Sequence, residues 1–329
     1  MLIVSSLVGR GNYEAGEALL ERVPEKVNAF HLPIEELVPA SVVHEDLERY
    51  RFISNHFRFF LKAIYKIPVF YYRKYFREKY LKTTNLEILK EKMADLKPRT
   101  VICISHRPAF WISLLKYREG LDFQLWGLLT EFGQNLGWRY IFWEALNGFL
   151  SPNGLESLKF IKNINIPCFQ IEPPCKKKIF ELASVKPDIK KILMVAGYWG
   201  QISFNQSRSI IEQLLNNFPG LAIKMVTGTN QKLRNDLEKH FGNNERLDLL
   251  GTVPSLFESF RECGCLITKP GFSTLVEAHV AGRKIFLIRG MPVAEDNNAR
   301  YALKHFEAEW FSLKSFKKWF EGIKSADCQ

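Results

Sequence analysis

Short apolar runs alternate with amphipathic stretches along most of the chain. Apolar runs bounded by turn residues predict buried strands, whereas apolar residues at every third or fourth position predict helices. Strands that alternate with helices predict parallel sheets, whose ligands bind beyond the carboxyl ends of the strands. The predicted strands are Leu2–Ser5, Val27–Phe30, Thr100–Ile104, Phe123–Leu128, Lys191–Ala196, Ala222–Val226, Leu247–Leu250, Cys265–Thr268 and Ile285–Ile288.

The length of the chain is sufficient for two α/β domains, because its 329 residues are 47% hydrophobic and supply two cores. We predict an N-terminal domain over residues 1–187 and a C-terminal domain over residues 188–329. The charged segment 44–95 is predicted to be a helical insertion in the first domain. Met1–Val8 is predicted to be a first buried strand rather than a signal peptide, and no stretch is apolar for long enough to span a membrane.

The segment that follows the strand Cys265–Thr268 has the layout of a nucleotide-phosphate site. The turn Lys269-Pro270-Gly271 ends the strand, and Phe272-Ser273-Thr274 opens a helix. The backbone amides and the dipole at a helix N-terminus favour a phosphate group. Glu277 lies in the first turns of this helix, where it is within reach of a ribose. An alternative interpretation is that Ser273 or Thr274 only caps the helix.

Several motifs resemble those of a known enzyme family. Thr268–Ala278, with Ala281-Gly282 and the later Glu295-x-x-Asn298-Ala299, resembles the donor half of the monogalactosyldiacylglycerol synthase and MurG-like glycosyltransferases. Ala196–Gln201 is similar to the second glycine loop of that family, and Val226–Asn230 is similar to its strand ending in Gly-x-Asn. The resemblance implies the GT-B fold, in which two Rossmann-like domains face one another across a cleft. In that fold the C-terminal domain holds the nucleotide-sugar and the N-terminal domain holds the acceptor.

The resemblance also implies an activity, namely transfer of a sugar from a UDP-sugar to an acceptor hydroxyl, with inversion at the sugar carbon. Neither a metal ion nor another cofactor is expected, because no DxD pair stands near the glycine loops. The expected nucleotide-sugar-binding residues are Gly11, Asn12, Gly197, Trp199, Gly200, Gly228, Lys269, Gly271, Phe272, Ser273, Thr274, Glu277, Glu295, Asp296 and Asn298.

The general base departs from the family pattern, because Asn12 stands where the family's first glycine loop usually carries His. An amide cannot accept the proton of an acceptor hydroxyl, so another residue must do so. His106 follows directly on a predicted strand, although a His at this place also serves simply to satisfy a turn. Glu131 ends another apolar stretch, where a partly buried carboxylate has a raised pKa. Glu131 and His106 are the two candidate catalytic residues.

The net charge of +11 is concentrated between Arg49 and Lys82, where basic residues alternate with Phe, Tyr and Ile. Such a segment lies readily on an anionic membrane surface. Two other interpretations are a helix that packs its aromatic residues into the core and, less favoured, a nucleic-acid site, for which no recognition module is visible. The tail Trp310–Lys324 repeats this composition and is either a lipid-facing helix or a helix packed on the protein.

The basic aromatic segment favours a lipid or membrane-associated acceptor. A glycosyltransferase with a soluble small-molecule acceptor, a non-catalytic nucleotide-sugar-binding subunit and a nucleotide-sugar epimerase are the alternatives. The six scattered cysteines lack the spacing of a zinc or redox motif and indicate reduced thiols. We therefore expect a cytoplasmic protein that associates peripherally with the inner face of the membrane.

Overall fold

The computed structural model describes residues 1–8, 10–41, 44, 48, 85–133, 135–154, 166–199, 201–290 and 294–326. Contacts within the chain divide it into two compact units. The first unit comprises Met1–Lys176 and Met291–Asn297, and the second comprises Lys177–Gly290 and Asn298–Gln329. The predicted basic aromatic segment 49–82 lies outside the described residues.

The first unit contains a six-stranded parallel sheet in the order β2-β1-β3-β4-β5-β6. Short 3₁₀ segments occur at Ile34–Glu36, Leu136–Arg139 and Trp143–Ala145. The helices and strands are β1 (Leu2–Ser5), α1 (Gly11–Leu20), β2 (Phe30–Pro33), α2 (Glu87–Leu96), β3 (Thr100–Ile104), α3 (His106–Glu119), β4 (Gln124–Leu128), β5 (Gly148–Ser151) and β6 (Cys168–Gln170).

The remaining strands form a second six-stranded parallel sheet in the order β12-β11-β10-β7-β8-β9. The prediction of two parallel α/β domains is thereby confirmed. A 3₁₀ segment occurs at Glu181–Ser184. The elements are α4 (Lys177–Phe180), β7 (Asp188–Val195), α5 (Phe204–Asn217), β8 (Ala222–Val226), α6 (Gln231–Phe241), β9 (Leu247–Leu250), α7 (Phe257–Glu262), β10 (Cys263–Thr268), α8 (Phe272–Val280), β11 (Lys284–Leu287), α9 (Ala294–His305), β12 (Ala308–Trp310) and α10 (Leu313–Ala326).

One predicted strand is misplaced and three strands were not predicted. The second strand was expected at Val27–Phe30, but it begins at Phe30, where His31 and Leu32 pair with Ile3 and Val4 of β1. The segment before it turns instead, with the Val27 amide donating to the carbonyl of Pro24. The unpredicted strands β5, β6 and β12 are short, and β6 and β12 lie at sheet edges.

The C-terminal helix α10 packs on the second unit through one face, as one of the two interpretations of the basic tail expects. Phe316 and Phe320 are buried against Phe218, and Phe316 also contacts Phe286 of β11. The apolar face of α10 therefore completes a core and does not face lipid. Among the helices of the described ranges, none has both the length and the hydrophobicity to cross a bilayer.

Candidate functional site

The strand order of the second sheet creates a crevice between β7 and β10. The chain runs from β7 outward to β8 and β9, and then returns to build β10, β11 and β12 on the other side of β7. In such a sheet the connections that follow the two central strands leave in opposite directions, and ligands bind between them at the carboxyl ends. The glycine loop after β7 and the turn Lys269-Pro270-Gly271 after β10 therefore flank the predicted ligand position.

Lys269 extends its side chain between the two glycine-containing turns. Gly197 has φ +80°, and a Cβ built there would lie 2.7 Å from Cε and 3.7 Å from Nζ of Lys269. A Cβ at Gly271 would lie 3.6 Å from the same Nζ. The absence of side chains at Gly197 and Gly271 leaves room for the ammonium group and for a ligand at the main chain. Gln201, whose Oε1 lies 3.8 Å from the Cβ position of Gly197, also borders this place.

Helix α8 directs its N-terminus towards the end of β10. Gly271 is the N-cap, no side chain makes a capping hydrogen bond, and the first helical bond runs from the Leu275 amide to the Gly271 carbonyl at 3.1 Å. The interpretation in which Ser273 or Thr274 caps the helix is therefore wrong, and both residues lie in its first turn. The side chain of Phe272 is buried, so only its main chain is available at the helix end.

Two hydrogen-bonding arrangements fix the turns around Lys269. The buried Asn298 donates from Nδ2 to the carbonyl of Pro270 at 3.1 Å. Gly228, with φ +66°, has its Cβ position only 2.3 Å from the carbonyl oxygen of Tyr198, so no side chain fits there. The amide and the hydroxyl of Thr229 both donate to that same oxygen, at 2.7 and 3.0 Å. The turn after β8 thus positions the loop after β7.

Three further residues were predicted to bind the nucleotide-sugar, and two of them are described by the structure. Trp199 is partly buried and contacts the ring of Tyr198 edge-on, at 5.5 Å between centroids. Glu277 lies one turn and a half into α8, and Gly200 is outside the described residues.

In the first unit, three predicted residues follow neighbouring strands. Asn12 lies at the start of α1 after β1, His106 begins α3 after β3, and Glu131 follows β4. Because β1, β3 and β4 are adjacent and parallel, their carboxyl ends form one edge of the sheet. The hydroxyl of Thr130 donates to Oδ1 of Asn12 at 2.7 Å, which ties the loop of Glu131 to α1. Gly11 is the first residue of α1.

Glu131 is partly buried in a loop that is held from several sides. Its Oε1 accepts a hydrogen bond from Nδ2 of Asn135 at 3.0 Å. The carbonyl of Phe132 accepts one from Asn153 at 2.8 Å. Gly133 packs against Asn297, because a Cβ at Gly133 would lie 2.4 Å from Cβ of Asn297. The carboxylate is therefore held in a defined position at the carboxyl edge of the sheet.

Two acidic residues that were predicted to bind the nucleotide-sugar directly precede Asn297, which contacts Gly133. Glu295 is nearly buried and Asp296 is exposed, and both belong by their contacts to the first unit. Asn298, which was predicted to bind the same ligand, belongs to the second unit.

His106 is packed against the backbone of Gly137, where a Cβ would lie 1.9 Å from its Cδ2. The residue before it, Ser105, has φ +83°, an unusual conformation for a non-glycine residue. Burial, helped by the charge of Arg107, lowers the pKa of His106 to about 3. The imidazole is therefore neutral at physiological pH and is a weak proton acceptor.

This lowered pKa predicts a pH-dependent stability. As pH falls below about 6.5, the unfolded chain protonates His106 before the folded protein does, so the free energy of unfolding decreases towards pH 3. The contribution is at most about 1.4 kcal/mol per pH unit. Denaturant unfolding between pH 4 and 8 should show that His106→Gln flattens the acidic part of the stability curve and leaves the slope above pH 7 unchanged. Parallel curves for the two proteins would contradict the assignment.

The side chain of His31 is buried, and no motif in the sequence indicates its contacts. Its Nε2 lies 2.7 Å from the hydroxyl of Ser5, its Nδ1 contacts a carboxylate oxygen of Glu17, and Tyr13 packs on the ring at 4.8 Å. Ser5 is completely buried, so this Ser-His-Glu arrangement is inaccessible to a substrate. It joins β1, β2 and α1.

Comparison with known proteins shows which sequences and structures this chain is similar to. No protein-family model matches the sequence. The chain is 26% identical over 334 residues to a processive diacylglycerol beta-glucosyltransferase of Bacillus cereus strain G9842, covering 92% of this chain and 79% of the relative. The predicted resemblance to the monogalactosyldiacylglycerol synthase and MurG-like glycosyltransferases is confirmed by this similarity. The similarity also bears out the prediction that this protein is an enzyme, a glycosyltransferase.

Two solved structures show the same fold as this glycosyltransferase. MurG of Acinetobacter baumannii superposes with a TM-score of 0.51 and 11% identity, covering 98% of this chain and 90% of the other. The UDP-GlcNAc 2-epimerase of Neisseria meningitidis, solved with UDP-GlcNAc, superposes with a TM-score of 0.57 and 11% identity over 98% and 91% of the two chains. At this identity the likeness concerns the fold alone.

Proposed function

We propose that this glycosyltransferase transfers a sugar from a UDP-sugar to a hydroxyl group of a lipid acceptor, with inversion and without a metal ion. The observation that carries the proposal is the position of the Lys269 ammonium, between Gly197 and Gly271 at the switch point of the second sheet. A cation between two glycine turns and beside a helix N-terminus suits a diphosphate.

The chemistry follows from where charge develops. When the bond between the sugar carbon and the diphosphate oxygen breaks, that oxygen gains negative charge. Lys269 and the amides at the N-terminus of α8 lie where they stabilise this charge, and they are already in place before the reaction. They supply the positive charge that a bound divalent cation supplies in metal-dependent transferases. We expect turnover to be unchanged in the presence of EDTA.

Two further sets of residues complete the donor site in this proposal. Glu277 accepts hydrogen bonds from the ribose hydroxyls, which carboxylates do well because they are strong acceptors. Glu295, Asp296 and Asn298 select the hydroxyl pattern of the sugar, and Asn298 also holds the turn at Pro270.

Glu131 is the general base that we propose for the acceptor hydroxyl. A general base works best when its pKa is near the working pH, and the pKa of about 3 makes His106 a poor match. The carboxylate of Glu131 is oriented by Asn135 and lies at the carboxyl edge of the first sheet. Loss of the proton makes the acceptor oxygen a better nucleophile for the sugar carbon.

A lipid acceptor is supported by the relative, which is named for diacylglycerol, and by the net charge of +11. In this proposal the basic segment 49–82 attracts the protein to the anionic inner face of the membrane. A cytoplasmic location follows from the same proposal, because UDP-sugars are made there.

Replacing Lys269 by Met is expected to weaken UDP binding about 10- to 100-fold, because hydrogen bonds to charged groups contribute about 1.5–3 kcal/mol. Isothermal titration calorimetry measures this change directly. Lys239→Met, which removes an exposed cation from α6, is the matched control and should bind UDP as the wild type does. Equal affinity of Lys269→Met and wild type would contradict the role of Lys269.

The activity is tested by incubating the protein with a panel of UDP-sugars and vesicles that contain diacylglycerol, followed by mass spectrometry of the lipid extract. A hexosyl-diacylglycerol supports the proposal. Transfer to a soluble alcohol but not to lipid would replace the acceptor, and an isomerised UDP-sugar without acceptor would indicate an epimerase. Binding of UDP without any turnover would indicate a non-catalytic subunit.

A further inference from the structure

A groove of about 760 Å³ opens in the second unit beyond the ends of β11 and β12. One face of α5 forms a wall of it, and the segments that follow the two strands form the rest. Its polar lining includes Gln206, Ser209, Gln213, Arg289 and Ser312, together with the indole of Trp310. Among the residues that the structure describes, the lining of the groove contains no acid.

Arg289 and Trp310 give this groove its chemical character. Arg289 is exposed and forms no ion pair with any residue in the described part of the chain. Trp310 is 45% exposed, although it is a large aromatic residue. Its carbonyl accepts a hydrogen bond from the hydroxyl of Ser315 at 3.0 Å, which helps to fix the turn that presents the indole. An exposed indole beside an exposed guanidinium is typical of residues at a membrane interface.

A row of lysines continues from the groove along α10. Leu313 lines the groove, and the next residue, Lys314, lies on the same helical face as Lys317 and Lys318. All three lysines are exposed, whereas the opposite face of α10 is buried in the core. Glu321, which lies 3.7 Å from Lys317, is the acid on this face among the described residues of α10.

We propose that the groove and the lysine face of α10 form a docking surface for a membrane rich in anionic phospholipid. A lipid phosphate pairs with Arg289 in the groove, Trp310 lies at the level of the headgroups, and the lysines attract the surrounding anionic lipids. Charge complementarity favours this occupant, because the described part of the lining contains a cation and no acid, and the adjoining helix carries three exposed lysines.

This inference deepens the proposed function, on which it rests, because an enzyme that glycosylates a lipid must reach the bilayer surface. It is separate from the attraction proposed for segment 49–82. It predicts that membrane binding has a localised component in the second unit, which substitutions in the groove remove even though segment 49–82 is unchanged.

The test is co-sedimentation of the full-length protein with vesicles of phosphatidylcholine alone and of phosphatidylcholine mixed with phosphatidylglycerol. Each cation near an anionic surface changes the partition coefficient about five-fold. We expect Arg289→Gln combined with Trp310→Ala to lower partition onto the anionic vesicles at least about ten-fold, and added salt to weaken wild-type binding. Arg261→Gln combined with Tyr117→Ala removes an exposed cation and an exposed aromatic residue elsewhere and should bind as the wild type does.

Partition of the Arg289 and Trp310 double variant equal to wild type would overturn the inference, since segment 49–82 or another surface would then account for binding. Inorganic phosphate that occupies the groove as well as anionic vesicles do, and so displaces the protein from them, would also overturn the inference. The groove would then be a site for a free anion. The UDP-induced rise in melting temperature is measured on the same variants. It reports the donor site separately, so a failure of the proposed function is distinguished from a failure of the docking surface.

Discussion

Replacing Glu131 by Gln is expected to lower kcat by about a hundredfold or more, which is the low end for loss of a general base. The glutamine side chain keeps the shape of Glu131 and its hydrogen-bonding position beside Asn135, but it cannot accept the acceptor's proton. Because UDP-sugar binding does not depend on this proton, the KM for the donor should change little. Steady-state kinetics with the sugar identified by the product screen provide the measurement.

The control for this prediction is Glu144→Gln, which neutralises an exposed carboxylate of the same unit and should leave kcat unchanged. His106→Gln serves as the competing test. If His106→Gln loses a hundredfold while Glu131→Gln remains active, the base is His106 and our assignment is wrong.

Replacing Arg283 by Met is expected to lower the free energy of unfolding by about 3–5 kcal/mol, because buried carbonyl groups lose a charged donor. Arg283 is 3% exposed and donates from its guanidinium to the carbonyls of Phe260, Val185 and Leu182, at 2.6, 3.2 and 3.3 Å. These bonds fix the segment before β7 to the second unit. Removal of a buried charge offsets part of the loss.

Urea unfolding followed by circular dichroism measures this effect. The matched control is Arg261→Met, because Arg261 lies in an exposed ion pair with Glu258 and exposed pairs contribute about 0–1 kcal/mol. If Arg283→Met were as stable as Arg261→Met, the three carbonyl bonds would not stabilise the second unit as argued.

Much of the fold follows from local patterns in the sequence. Strands such as Leu2–Ser5 and Ala222–Val226 are mostly apolar and are followed by turn residues, and the structure has them at the predicted positions. The strands that local patterns did not reveal depend on tertiary context. Gly148–Ser151 is short and begins with glycine, and Cys168–Gln170 has mostly exposed side chains, so neither has a distinctive hydrophobic signal.

Some features of the candidate site are also local in the sequence, whereas others depend on tertiary packing. The turn at Lys269-Pro270-Gly271 and the helix after it are local features, which the sequence is able to indicate. The approach of the Lys269 side chain to Gly197 is not local, because it depends on the pairing of β7 with β10. The lowered pKa of His106 likewise arises mainly from burial, and the packing of the ring near Gly137 is indicated by no sequence motif.

Calorimetric titration of the protein with UDP, GDP, dTDP, CMP and ADP measures whether the donor site exists, and the other proposed roles depend on that site. We predict binding of UDP at a single site, and a higher melting temperature at saturating UDP because the ligand binds only the folded protein. Absence of binding by UDP, or equal binding of all five nucleotides, would contradict the claim that the crevice between β7 and β10 holds a UDP-sugar.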